Sequence, residues 1–178
     1  MDGVPVIRTA TAGDLPAITA VYAREVDDHV ATYEYSAPDE AEMRRRWEAI
    51  VAQGYPYVVA EIDGRFAGYA YASSYRSREG YRWTVEDTVY VHPDFMGRGV
   101  GRALLQHLID DCTTRGYRQM VAVIGDVTNT ASIALHEKLG FHGVAVFQGL
   151  GRKHGRWLDT VQMVRPLGAG SKAPPESA

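Results

Sequence analysis

Hydrophobic positions in this chain recur every second residue in some segments and every three to four in others, and that switch outlines its elements. Val4 to Thr9 predicts a short strand. Leu15, Ile18, Val21, Tyr22 and Val26 then recur at helical spacing, behind Thr11 and Asp14 set as a capping box. Ser36 and Asp39 repeat that signal, with Pro38 in the first turn, ahead of a second helix through Met43, Trp47, Ile50 and Val51. Two β-rich runs, Tyr57 to Ile62 and Phe66 to Ser73, flank Asp63-Gly64, a strong hairpin signal. A longer strand from Arg82 to Val91 places Trp83, Val85, Val89 and Val91 on one face and Thr84, Glu86, Thr88 and Tyr90 on the other.

Val100, Leu104, Leu108 and Cys112 line one side of a third helix, which Gly116 ends. Met120 to Ile124 reads as a buried strand, and Thr128 to Leu139 as a short helix stopped by Gly140. Phe141 to Phe147 and Trp157 to Val164 form a closing pair of strands around the turn Lys153-His154-Gly155. The order is therefore β-α-α-β-β-β-α-β-α-β-β. Three consecutive strands exclude a plain doubly wound sheet, and a mixed sheet with helices on both faces fits the order.

With 178 residues, 46% of them hydrophobic, the chain is long enough for one domain with a sizeable core. That domain is expected over residues 1–167, followed by a flexible tail over 168–178, GAGSKAPPESA. The apolar runs are far shorter than the roughly 20 residues of a membrane span, and the start MDGVPVIRTA lacks the pattern of a secretory signal. A net charge of -3 without a basic block argues against nucleic acid as a partner. Cys112 is the single cysteine, which excludes an internal disulfide and a Cys-based zinc site and fits a reduced, cytoplasmic setting. No His, Asp and Glu spacing suggests a metal site.

The stretch VYVHPDFMGRGVGRALL, Val89 to Leu105, carries the most chemistry. A strand enters a loop with Gly97, Gly99 and Gly101, and a helix starts there. Unpaired N–H groups and the helix dipole make such a terminus an anion site, and Arg98 and Arg102 add positive charge. The alternative is a glycine turn chosen for geometry alone. The dinucleotide fingerprint G-x-G-x-x-G and the G-x-x-x-x-G-K-[ST] phosphate loop both fail on spacing.

This stretch resembles the Q/R-x-x-G-x-G/A motif of the GNAT superfamily of N-acetyltransferases, with Met96 standing at the Gln/Arg position. The resemblance covers roughly Val6 to Met163 and implies a mixed, mostly antiparallel sheet of about seven strands flanked by about four helices. YRSREGYRWTVEDTVYVHP, AVIGDVTNTASIALHEKLGF and GRKHGRWLDTVQM further resemble the phosphinothricin and methionine sulfoximine acetyltransferases. It implies acetyl-CoA as co-substrate, its pyrophosphate at Gly97, Arg98, Gly99, Val100, Gly101 and Arg102, and its pantetheine arm along Tyr90 and Val91. It also implies that Asn129, Ser132 and His136, a polar stripe at i, i+3 and i+7, face that arm; the alternative is a stripe facing water.

Acetylating an amine requires a neutral nitrogen, so a general base is useful. Glu86, on the polar face of its strand, matches the glutamate assigned that role, against the alternative of a solvated strand residue. Asp87 falls on the apolar face as a buried structural acid, His92 reads as a cap before Pro93, and Cys112 as a core thiol. Arg76, Arg78 and Tyr81 match positions that bind an anionic amino-acid substrate, an interaction suited to guanidinium and phenol. Tyr33, Glu34 and Tyr35 match a loop that covers the substrate, and Lys153 and His154 a turn near its mouth. The resemblance implies direct acetyl transfer to a small-molecule amine, in a homodimer. The rival readings are acetylation of a protein N-terminus or lysine, and a non-catalytic acyl-CoA sensor.

Overall fold

The computed structural model, which describes residues 3–175, contains one sheet in the order β1-β2-β3-β4-β5-β7-β6. Its strands are β1 (Val6–Thr9), β2 (Tyr57–Ile62), β3 (Arg65–Ser74), β4 (Thr84–Val91), β5 (Gln119–Ile124), β6 (His142–Lys153) and β7 (Arg156–Pro166). The helices are α1 (Leu15–Asp28), α2 (Glu40–Ala52), α3 (Val100–Thr114) and α4 (Thr130–Lys138). Neighbouring strands run antiparallel except β4 and β5. The sheet and the four helices match the expected architecture.

Local chemistry explains most boundaries. Thr11 and Asp14 form the expected capping box, on a short 3-10 turn leading into α1. Asp63 and Gly64 both take positive φ, 52° and 72°, as a tight hairpin turn demands. Asp39, rather than Ser36, caps α2 by accepting from the Glu42 N–H at 2.8 Å, so Pro38 lies outside the helix. β6 runs past Phe147 to Lys153, and the β6–β7 turn narrows to His154 and Gly155. In the tail, Gly170–Lys172 forms a 3-10 turn, and the Arg118 guanidinium binds the carbonyls of Gly170 at 2.9 Å and Pro174 at 3.2 Å. Leu167 anchors that turn in the core, and residues 176–178 lie outside the described residues.

Each face of the sheet has its own core. α1 and α2 cover one face through Leu15, Ile18, Tyr22, Val26 and Met43 on Tyr57, Val59 and Tyr69. On the other, Leu104, Leu105, Leu108 and Cys112 of α3 pack on Val58, Ala60, Ala70, Ala72 and Val85. Because side chains alternate along a strand, Glu86, Thr88 and Tyr90 belong to the first face and Val85, Asp87, Val89 and Val91 to the second.

Candidate active site

The site begins where the sheet opens. β4 pairs with β5 only from Thr84 to Glu86, opposite Gln119 to Val121, although both strands continue. Residues 87–91 of β4 therefore have no strand partner on the β5 side among the described residues. Tyr90 and Val91 lie in that stretch, and the Tyr90 ring packs between Tyr22 and Tyr69 at 5.5 and 5.4 Å.

Glu86 sits at the apex of the opening, half-buried, level with Ser73 of β3. Burial, and secondly the negative charge of Asp87, push its pKa up to about 7. A carboxylate so placed exchanges protons near neutrality, which suits a general base. Asp87 is buried as expected, and His92 caps the 3-10 turn after β4 by accepting from the Asp94 N–H at 3.2 Å.

At the far end of β4, Gly97 and Gly99 hold φ of 74° and 79°, and Gly99 is the N-cap of α3 with no side chain capping the helix. The first N–H groups of α3, from Val100, Gly101 and Arg102, thus open toward the loop with the helix dipole behind them. Gly101 lets α3 approach its neighbours: a Cβ there would stand 3.3 Å from Leu135 and 3.4 Å from Val91. The Arg98 guanidinium lies over the Phe95 ring at 5.3 Å, and Arg102 is exposed. Met96 is 58% exposed, so the loop takes its shape without that side chain.

The β3–β4 loop carries Arg76, Arg78 and Tyr81, which with Ser77 line a pocket of about 380 Å³. Arg76 lies over Tyr75 at 5.1 Å and Tyr81 at 6.0 Å. The structure thus brings together the three residues expected to bind an anionic substrate.

The α1–α2 loop departs from the expectation of a simple cover. The Tyr33 hydroxyl donates to the Gly125 carbonyl and pairs with Thr160 at 2.6 Å, while its ring lies on Gly151, where a Cβ would come within 2.3 Å. Glu34 accepts from Tyr22 at 2.8 Å and from Arg46 at 2.6 Å. Tyr35 is 70% exposed and donates to the Arg152 carbonyl. These partners tie the loop to α2 and to the β6–β7 hairpin.

Lys153 corrects a second expectation. It is 1% exposed, and its ammonium donates to the Thr32 carbonyl at 2.9 Å, so it holds the loop from beneath instead of lining the mouth. Burial pushes its pKa down, against the charges of Asp27, Glu25 and Glu34. His154 stays exposed in the hairpin turn at a φ of 48°.

The polar stripe on α4 is also rearranged. Asn129 is the N-cap and accepts from the Ser132 N–H at 3.2 Å. His136 turns into the core, with Nε2 3.0 Å from Asp87 and Nδ1 2.7 Å from the Ser132 carbonyl. It therefore lies beneath the opposite face of β4 from Glu86, because a carboxylate on the apolar face requires a partner.

Sequence reasoning missed the groups that share Glu86's face. Tyr57, Tyr69 and Tyr71 stack side by side, with Tyr57 and Tyr71 4.8 Å apart. Tyr71 stands opposite Thr88 on β4; burial pushes its pKa up, and the charges of Glu86, Arg46 and Glu34 reach it. The alternation of Tyr69 and Tyr71 opposite Tyr90 and Thr88 was the available signal.

Comparison with known proteins agrees with this geometry. The profile of the acetyltransferase (GNAT) family matches residues 19–141. A phosphinothricin N-acetyltransferase of Alcaligenes faecalis is 49% identical over 170 residues, 96% of this chain and 86% of that protein. An L-methionine sulfoximine/L-methionine sulfone acetyltransferase of Salmonella typhimurium is 42% identical over 88% of this chain and 91% of its own length. The crystal structure of a GNAT superfamily phosphinothricin acetyltransferase from Sinorhizobium meliloti in complex with AcCoA aligns with a TM-score of 0.95. It is 48% identical and covers 98% of this chain and 95% of that one.

Proposed function

The chain belongs to the GNAT acetyltransferase family and is an acetyl-CoA-dependent N-acetyltransferase, and from that premise we propose direct acetyl transfer to the primary amine of a small amino acid, with Glu86 as general base. The substrates in view are phosphinothricin, methionine sulfoximine and methionine sulfone, on which the relatives act. The observation that carries this reading is the position of Glu86, at the apex of the β4–β5 opening with its pKa near neutrality.

The residues present fit acetyl-CoA. Backbone N–H groups from Gly97 to Arg102 suit the pyrophosphate, assisted by Arg98 and Arg102. The unpaired edge of β4 at Tyr90 and Val91 offers backbone groups to the pantetheine amides, and Asn129 and Ser132 stand at the start of α4. Glu86 and Val91 are five residues apart, about 17 Å along an extended strand, which gives an extended arm room to reach the base. When bound, acetyl-CoA supplies an activated acyl group. Glu86 would take a proton from the substrate ammonium, through water, so that the neutral amine forms the C–N bond as the thioester C–S bond breaks; coenzyme A would leave as its thiolate, protonated from the nitrogen's second proton through solvent, and a backbone N–H at Val91 would polarise the carbonyl.

Arg76, Arg78 and Tyr81 would bind the anionic end of the amino acid in their pocket, one loop ahead of Glu86. Tyr33 and Glu34 shape the opposite wall through the tethered α1–α2 loop. Val144, Val146 and Leu150 are exposed on the edge strand β6 and Trp157 on its neighbour β7, and this supports a homodimer. The reduced, buried Cys112 supports a cytoplasmic enzyme.

Glu86→Gln tests the central role. It should lower kcat by at least about tenfold, within the range a general base supplies, while leaving the KM for acetyl-CoA in place. An unchanged kcat at neutral pH would remove Glu86 from the mechanism.

A further inference from the structure

Directly behind Glu86, on the other face of β4, lies a polar pair that the proposed reaction does not use. Asp87 and His136 are both buried, with side chains 4% and 5% exposed. The Ser132 carbonyl can only accept, so its 2.7 Å contact puts a proton on His136 Nδ1. At Nε2, 3.0 Å from Asp87 Oδ1, a second proton must lie between ring and carboxylate. The pair thus holds one proton more than a neutral imidazole and an ionised acid would. The other carboxylate oxygen, Oδ2, is buried without a hydrogen-bond partner.

We propose that the Asp87–His136 pair is a positioning dyad that sets the proton affinity of Glu86. This rests on the reading of Glu86 as general base and adds to it the group that tunes that base. Adjacent residues of a strand point to opposite faces, so Asp87 acts on Glu86 through its field alone.

The other surroundings leave Asp87 as the near source of negative charge. On Glu86's face, β3 contributes the Tyr71 phenol, with Arg46 and Glu34 behind it as an ion pair, and β5 contributes the apolar Val121. On the dyad's face, α3 contributes the Cys112 thiol, and Phe141 meets the imidazole edge-on at 4.9 Å. Burial pulls the His136 pKa down, but the hydrogen bond and charge of Asp87 and the Ser132 carbonyl outweigh it. Cationic His136 thus offsets part of the Asp87 charge.

The size of the effect follows from Coulomb's law. Two charges about 8 Å apart across a strand shift each other by about 0.4 to 1.5 pK units at effective dielectric constants of about 80 to 20. Partial compensation by His136 favours the lower half of that range.

The test is the titration of Glu86 in the protein without substrate, followed by NMR of glutamate labelled at the side-chain carboxyl. Glu86→Gln identifies the resonance by its loss. Asp87→Asn, isosteric and uncharged, should lower the Glu86 midpoint by about half a unit or more, and the smaller Asp87→Ser should move it the same way. With L-methionine sulfone as probe, the acid limb of kcat/KM should move down by the same amount. A midpoint unchanged within about 0.2 units in both variants, or one that rises, overturns the dyad. Failure of the general-base reading shows separately, as full activity in Glu86→Gln, and leaves the NMR result to stand or fall alone.

Discussion

Replacing Lys153 by Met removes the ammonium that supports the α1–α2 loop while keeping most of the side-chain volume. The lost bond to the Thr32 carbonyl is charge-assisted and contributes about 1.5–3 kcal/mol, and the carbonyl left behind is short of a donor. Against this, Met recovers the cost of burying a charge at a site where burial already lowers the lysine pKa. The net destabilisation is about 1–2 kcal/mol, which lowers the Tm of a domain this size by about 2–8 °C. The same energy puts a ceiling of about five- to thirtyfold on the rise in amine KM, since the loop holds Tyr33 and Glu34, the residues proposed to shape the amine site. The glycine loop proposed for the pyrophosphate is on another element, so the KM for acetyl-CoA should move by less than about twofold. Thermal unfolding and steady-state kinetics at fixed pH read both quantities. An unchanged Tm together with an unchanged amine KM would show that Lys153 does not hold the loop.

Three further changes probe other parts of the account. Gly99→Val places a β-branched residue at a φ of 79°; it should cost about 1–3 kcal/mol of stability and raise the acetyl-CoA dissociation constant at least tenfold by calorimetry, and unaltered affinity would contradict the loop assignment. Arg78→Ala should raise the amine KM by about ten- to a hundredfold with acetyl-CoA unaffected, the value of one charge-assisted pair. Glu86 carries a folded pKa raised from 4.5 to about 7, so its protonated form favours the fold below about 4.5 and that contribution is lost as pH rises through about 7. Glu86→Gln should therefore raise Tm relative to wild type more at pH 8 than at pH 5, and differential calorimetry showing the reverse order would refute the burial argument.

Periodicity was enough to place most elements, because the signals are local. The Asp63-Gly64 turn, the Thr11–Asp14 box and the apolar stripe of α3 each reside within a few neighbouring residues. The opening between β4 and β5 was not legible, since it depends on pairing across 35 residues that stops after Glu86. β6 outran its expected end because Gly149 and Gly151 interrupt the alternation, and Gly151 is glycine to admit the Tyr33 ring. Glu86 at the end of the β4–β5 pairing, the glycine turn into α3 and the shared pocket of Arg76, Arg78 and Tyr81 each follow from signals within one short segment. Lys153 and His136 do not, because both spend their polar groups on buried partners, Thr32 and Asp87, far away in sequence. A carboxylate on the apolar face of β4 was the one cue that a polar residue elsewhere had to turn inward.

Free thiol release from acetyl-CoA, followed with phosphinothricin, methionine sulfoximine and methionine sulfone beside a peptide N-terminus and a polyamine, decides which amine the site takes. At least one of the three amino acids should turn over, at a rate that falls by at least about tenfold in Glu86→Gln. Turnover of the peptide or polyamine alone would contradict this, and would make Arg76 and Arg78 surface charges on a fold that serves a different amine.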